Sequence, residues 1–558
     1  MPMLFELKCE KNAVALDKSG FASIIEMDTY CRKGDPMSVV RTALKWLTTP
    51  LDRKKLLRFC LLFGMALGLL AHAFMFTNKL PNHDDLEFYM DLSYAGLGAG
   101  RYFLHFFWKC FSDLSTPWLN GVMGVFFMNF GTFFLCDTFD WRQNWQAVAA
   151  AVIMQLFPAN IDIYCYMYEA HVLMLGIACA CFAPWLVRHG GKLRWLWTAL
   201  AVWVATGIYQ INVMLAIGLL ILYVVYVTVE GLKEGRSAAK SWGFAVYCAA
   251  AAVAGLMLYL VGLKALGTVV TLNEYQGVNQ TGSLTLSLIP GKIVESYRTV
   301  WNEYVADVPD YVNSRMMLFR LPMFLLGVAG LGWGAVKCFA KKAPLQGLLI
   351  VVCMALLPLA CCGIYFMGDD ITKIHIITLY PLILMLLALL TVVRPAVPED
   401  TVIRRGLALA TAVLYLGYGV NGVVLANQVY LRHHQSFTRA EHFANRLAAR
   451  IEEVEGYHPG VPLATWGYMN HEDSLLYFEY DVASRYLPFG GIRMEMDYMW
   501  PYCAANMLNV VVGLPVSDGQ GWAPETPEEQ AQLDAMPYYP AEGSVAMIGD
   551  TCVVKFSW

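Results

Sequence analysis

Apolar segments of about twenty residues recur along this chain, separated by short polar stretches, and they constrain its fold more than any other feature. A helix needs ~20 mainly apolar residues to cross the hydrocarbon core of a bilayer. Eleven segments qualify: 56–77, 118–137, 146–164, 170–188, 194–210, 211–229, 242–264, 317–338, 344–366, 373–393 and 403–425. The run 194–229 is too long for one span, and Tyr209-Gln210-Ile211-Asn212 offers a polar hairpin point inside it. Of the 558 residues, 58% are hydrophobic and only 15% charged, against ~25% charged in soluble domains. A net charge of -4 gives no basic footprint for nucleic acid.

The cations orient the spans. Cytoplasmic loops carry an excess of Lys and Arg. With the N-terminus in the cytoplasm, nineteen fall in inside loops, among them Arg53, Arg142, Arg188, Lys233, Lys341 and Arg404. Seven fall in outside loops before the tail: Lys79, Arg101, Lys109, Lys292, Arg298, Arg315 and Lys373. This places the C-terminus outside. Met1–Pro36 is mixed and charged and lacks the continuous apolar stretch of a signal peptide. The segment 37–55 reads either as a basic amphipathic helix on the membrane face or as a solvated leader.

Residues 426–558 are different material, with seventeen Asp/Glu against seven Lys/Arg. Gln435–Glu455 has the spacing of an amphipathic helix, ended by Pro459-Gly460. Val461–Trp466 and Val510–Leu514 read as buried strands, Thr526-Pro527 as a helix start, and 544–556 as a hairpin around Gly549-Asp550. These elements make a small α/β domain. Cys503 and Cys552 are the two cysteines in this polar segment, and outside the cytoplasm they have the opportunity to pair.

The first outside loop is the richest in chemistry: Pro81-Asn82-His83-Asp84-Asp85-Leu86-Glu87-Phe88-Tyr89, then Gly96, Gly98 and Gly100-Arg101-Tyr102. Desolvation and mutual repulsion raise the pKa of paired carboxylates, which suits one of them to accept a proton. The same pair also suits a plain helix cap. Arg101 supplies a permanently charged fork for a phosphate. Lys373 and His375 follow Asp369-Asp370 at the mouth of the tenth span and either bind a phosphate or mark a helix end. Glu169 and His171 lie in a tyrosine-rich loop before the fourth span, where ionisable groups at membrane depth are costly and often functional. The long loop 265–316 is placed to cover a site on this face.

A first span followed by an Asn-x-Asp-Asp loop and a Gly-Arg-aromatic step resembles the bacterial membrane glucosyltransferase family of the O-antigen serotype-converting type. The resemblance continues after the last span through Asn421, Asn427, Tyr430 and 443–451, covering about 56–470. It implies a GT-C-like enzyme of a cytoplasmic (inner) membrane that uses a polyprenyl-phosphate sugar donor and a cell-envelope glycan acceptor. A first-loop carboxylate, Asp84 or Asp85, then acts as base, and hexose transfer inverts the anomeric centre, the hexose being glucose. By position, Arg101, Lys373 and His375 fall to the donor phosphate, and Glu87, Tyr89, Glu169, His171, Asp369 and Asp370 to the substrate. No metal or other cofactor is expected, although Asp84-Asp85 and Asp369-Asp370 would suit Mg²⁺ or Mn²⁺ if they converged.

The expected architecture is an α-helical polytopic membrane protein, GT-C-like, with about 11 transmembrane helices and a small α/β extracytoplasmic C-terminal domain. Its segments are 1–55, a cytoplasmic leader; 56–425, the transmembrane domain; and 426–558, the outer domain. A lipid-linked sugar flippase and a non-catalytic scaffold for glycan assembly are the other classes. Transporters place ionisable groups at the bilayer midplane within repeated halves. Here those groups gather at the outer ends of the spans.

Overall fold

The computed structural model describes residues 45–87, 96–272, 284–307, 309, 311–312, 314–369, 376–393, 402–467, 489–492, 499–519 and 521–556. The helices in order are α1 (Arg53–Thr77), α2 (His83–Glu87), α3 (Tyr102–Phe111), α4 (Pro117–Thr138), α5 (Asn144–Leu156), α6 (Pro158–Tyr164), α7 (Ala170–His189), α8 (Arg194–Ile208), α9 (Ile211–Gly231), α10 (Ala238–Leu266), α11 (Ile289–Trp301), α12 (Ser314–Ala340), α13 (Pro344–Cys361), α14 (Ile383–Val393) and α15 (Val402–Glu452). Strand β1 (Val461–Trp466), α16 (Met499–Asn506), β2 (Val516–Asp518), α17 (Pro527–Ala535), β3 (Val545–Ile548) and β4 (Thr551–Lys555) complete the chain.

Among the described residues, nine helices are long and apolar enough to cross a membrane, or ten if the bent pair α5–α6 is one span. The 49° bend falls at Pro158, which cannot continue the helix before it and holds Phe157 extended. The chain is thus a polytopic helical membrane protein. The count of eleven is not reached, because segment 194–210 forms only the fifteen-residue α8. That helix nevertheless runs between two polar faces. It begins just after Arg188 and His189, and near its other end Gly207 packs on Tyr102 and Phe103.

One face is locked by buried charge. Asp137, at the end of α4, is fully buried and meets Arg53 (3.1 Å), Arg142 (2.6 Å), His189 (3.1 Å) and the Trp185 indole N–H (2.9 Å). Asp140 beside it takes Arg142, Arg188 and the Tyr226 hydroxyl. A buried carboxylate is tolerable when it is paired in this way. The knot fixes the ends of α1, α4, α7 and α9 relative to one another. Residues 46–51 dock on it, since Leu51 N–H donates to Arg142 O and Asn144 N–H to Thr49 O. Of the expected N-terminal helix 37–55, residues 37–44 lie outside the described residues, and 53–55 belong to α1.

Small residues let the helices approach. A Cβ on Gly64 of α1 would collide with Asn129 of α4, and one on Gly121 with Phe76. His72 of α1 joins α5 and α15. Its Nε2–H donates to the Gln155 carbonyl (3.1 Å), so Nδ1 accepts from the Tyr430 hydroxyl (2.7 Å).

Helix α15 corrects a second expectation. The last span and the amphipathic helix after it form one 51-residue helix, about 76 Å long at 1.5 Å per residue. No Pro or Gly interrupts 423–452, so nothing breaks it at the surface. Its far end enters a four-stranded sheet unit ordered β2-β1-β4-β3, with β1 parallel to β2 and β4, and β3 antiparallel to β4. The expected strand Val510–Leu514 is instead part of a π-helical turn, Met507–Val512, closed by Gly513 at φ 84°. Asn509 holds that turn by donating to Val516 O and accepting from Val516 N–H. An apolar run this short does not distinguish strand from helix. Cys503 and Cys552 are both buried in the sheet unit, and no disulfide joins them to each other.

Removing the Asp137 carboxylate strands several buried donors. Asp137→Ala is expected to destabilise the protein by about 3–5 kcal/mol. Thermal unfolding in detergent would show this as a clear fall in Tm, and an unchanged Tm would contradict the assigned role.

Candidate active site

The two adjacent aspartates of the first loop have separate surroundings. Helix α2 is capped reciprocally: Asp85 N–H donates to Asn82 Oδ1 (2.7 Å), and Asn82 N–H donates to Asp85 Oδ2 (3.0 Å). The other Asp85 oxygen accepts from the Ser115 hydroxyl (2.9 Å) and the Tyr168 N–H (3.1 Å). Asp85 is fully buried and its oxygens are occupied. Burial pushes its pKa up to about 7, against the pull of the donors around it. Asp84 keeps a side chain 29% exposed, with Oδ1 3.4 Å from Nε2 of His83.

Glu169 caps the start of α7 with its side chain only 5% exposed, 3.7 Å from the Arg101 guanidinium. Burial pushes its carboxyl up to about 7, Arg101 pulls it down, and Asp84 adds a further upward push. Asp84, Glu169 and Arg101 therefore share one electrostatic neighbourhood, with Tyr168 beside all three.

Arg101 leaves a tight glycine turn in which its N–H donates to Gly96 O. Gly96 and Gly100 sit at φ 76° and 72°. A side chain at Gly100 would also strike Leu263, so glycine is needed there on two counts. The guanidinium lies 4.4 Å over the Tyr209 ring, a cation–π contact. Among the described residues its buried Nε has no hydrogen-bond partner. The break between α8 and α9 supplies Tyr209, in extended conformation, and Gln210. Gln210 donates to Ala99 O (2.7 Å) and to the Tyr259 hydroxyl (3.1 Å), bracing the glycine turn. The polar Tyr209-Gln210 hairpin point was legible in the sequence, but its link to Arg101 was not.

Other expected site residues lie elsewhere. His171 is fully buried, 6.5 Å from the Phe111 ring, with no hydrogen-bond partner for either nitrogen among the described residues. That enclosure is at odds with its expected place on a substrate-binding surface. Asp369 accepts from the Thr285 N–H and hydroxyl (2.8 and 2.6 Å), which lower its pKa, while Lys292 donates to the carbonyls of Gly368 and Asp369. This clamp closes the edge of the long loop. Glu87 ends α2, while Tyr89, Asp370, Lys373 and His375 lie outside the described residues. No group of three or more His, Cys, Asp or Glu among the described residues is arranged to hold a metal ion. A second buried ion pair, unforeseen from the sequence, joins Arg320 to Glu303 (2.5 Å), with the guanidinium 4.5 Å over the Tyr304 ring.

These features define a polytopic helical membrane protein with a carboxylate–guanidinium site where its loops converge. Residues 73–392, just over half of the chain, match the family model described as Glucosyl transferase GtrII, and the chain belongs to that family. The match confirms the family resemblance over a shorter range, leaving 393–558 outside it. No curated protein gives a significant match.

The raised Glu169 pKa makes stability depend on pH. Its carboxyl shifts from 4.5 to about 7 on folding, so ionising it opposes folding. The penalty is absent below about pH 4.5, grows as pH rises, and is complete above about 7. Glu169→Gln resembles the neutral acid. The variant is expected to gain roughly 3 kcal/mol on wild type at pH 8 compared with pH 4. Unfolding at the two pH values measures the difference, and equal offsets would refute it.

Proposed function

We propose that this chain moves a hexose, glucose on the strength of its family, from a polyprenyl phosphate to an extracytoplasmic cell-envelope glycan. The observation that carries the reading is the division between the two aspartates: Asp85 is committed to three donors, whereas Asp84 presents a partly open carboxylate in the electrostatic neighbourhood of Glu169 and Arg101.

In this reading Asp84 is the general base. It takes the proton of the acceptor hydroxyl as that oxygen attacks the anomeric carbon. The bond from that carbon to the lipid phosphate oxygen breaks on the opposite side, the phosphate keeps the electron pair, and configuration inverts. A departing phosphate needs cationic or hydrogen-bond stabilisation. Arg101 supplies it from a position fixed by the Tyr209 ring and the glycine turn. Lys373 and His375 are assigned to the same phosphate on sequence grounds alone. No metal is assigned a role.

The topology follows from charge. We assign the face holding Arg53, Arg142 and Arg188 to the cytoplasm by the positive-inside rule, which puts the Asp84 face outside an inner membrane. Helix α8 then counts as a short crossing, the α5–α6 pair as another, and the total is eleven with the GT-C-like order of elements. The ionisable cluster lies at the helix ends, as interfacial chemistry requires, and this disfavours a flippase.

Purified protein should transfer glucose from synthetic polyprenyl-phosphate glucose to its own envelope glycan. Asp84→Asn is expected to lower kcat by about 10²–10⁴ while Tm stays unchanged. Asp85→Asn is expected to cost about 1–3 kcal/mol of stability through its lost hydrogen bonds. Near-wild-type transfer by the Asp84 variant would overturn the assignment of the base.

A further inference from the structure

His83 stands between Asp84 and a short segment of the C-terminal unit. Its Nδ1 lies 3.2 Å from the Gly491 carbonyl oxygen, and its Nε2 lies 3.4 Å from Asp84 Oδ1. A carbonyl oxygen only accepts, so Nδ1 carries hydrogen. Nε2 then faces a carboxylate oxygen, and two lone pairs at that separation would repel. A hydrogen between them makes the contact attractive, and it ties the direction of the Asp84 carboxylate to the ring.

The segment that fixes His83 is itself anchored. Gly490 N–H donates to Asp162 Oδ1 (2.6 Å), and the Phe489 ring packs 5.0 Å from that of Tyr311. A Cβ on Gly490 would come within 2.9 Å of Cys165 and the Tyr166 ring, so glycine lets the backbone reach this depth. Gly491 approaches the His433 ring, whose Nε2 lies 3.0 Å from the Pro81 carbonyl oxygen at the start of the catalytic loop.

We propose that His83, held by the Gly491 carbonyl, is a positioning residue for the Asp84 carboxylate, so that the C-terminal unit completes the active site. This rests on Asp84 being the base. Pinning one Asp84 oxygen leaves the other for the acceptor hydroxyl. The charged and titratable groups around the pair are Asp85 on its own helix; Tyr166, Tyr168 and Glu169 on the loop before α7; Arg101 beyond Glu169; and Asp162 and His433 behind the glycines.

Two measurements test this. Diethyl pyrocarbonate acylates imidazole, so mapping His83 modification by peptide mass reads how firmly the ring is held without any need for turnover. A side chain at Gly490 would strike Cys165 and the Tyr166 ring and push the segment away, so Gly490→Val is expected to raise the modification rate of His83 several-fold over wild type at the same pH. Equal rates would overturn the contact with the C-terminal unit even if transfer failed for every donor, an outcome that would count against the enzymatic reading alone. In the transfer assay, His83→Ala is expected to lose at least about tenfold in kcat. His83→Gln, which can still donate, is expected to recover most of that loss. No recovery in the Gln variant would make His83 merely structural.

Discussion

The hydrogen bonds converging on Asp85 are the constraint on which the rest of the site depends. They draw in Asn82 from its own loop, Ser115 from the turn before α4, and Tyr168 from the turn before α7. Three connections that would otherwise move separately become one unit. Burial of the carboxylate is unfavourable, but hydrogen bonds to a charged group are worth about 1.5–3 kcal/mol each, and three donors work against that cost. Because Asp85 is fixed, the residue before it has a defined direction. Asp84 is thereby kept in the electrostatic neighbourhood of Glu169 and Arg101.

The opposite face has a comparable knot around Asp137 and Asp140, and rigid helices link the two. Helix α8 is the informative strut. Fifteen residues rise only about 22 Å, well short of a 30 Å hydrocarbon core. The break at its end leaves backbone and polar side chains that need partners. Gln210 finds Ala99 and Tyr259, and Tyr209 finds Arg101. The break after a short helix thereby builds the wall that holds the guanidinium.

The helical frame was legible because apolar length is a local property, and the sequence segments match the helices nearly one for one. The Asp84-Asp85 pair was legible as chemistry but not as two roles. What separates the roles is contact with Ser115, thirty positions away, and Tyr168, eighty-three away. The continuous α15 was missed because the change from apolar to amphipathic pattern near 426 looks like a boundary. A change of pattern changes which face is wet without breaking the backbone, and only Gly or Pro would have broken it. The sequence marks no task for His83, since the group that orients it is the carbonyl of Gly491, more than four hundred residues on.

That distance bears on how the molecule is divided. The family match stops at 392, and composition alone makes 426–558 a separate domain. The packing does not. Leu86, from the first loop, is buried in the apolar cluster of the sheet unit with Phe443, Leu447 and Val554. Phe489, from the tail, is buried in the cluster of the membrane helices. Each unit thus inserts a side chain into the other's core. Loosening either core would release a residue that helps to shape the first loop. In the proposed reading the sheet unit is therefore part of the wall of the site.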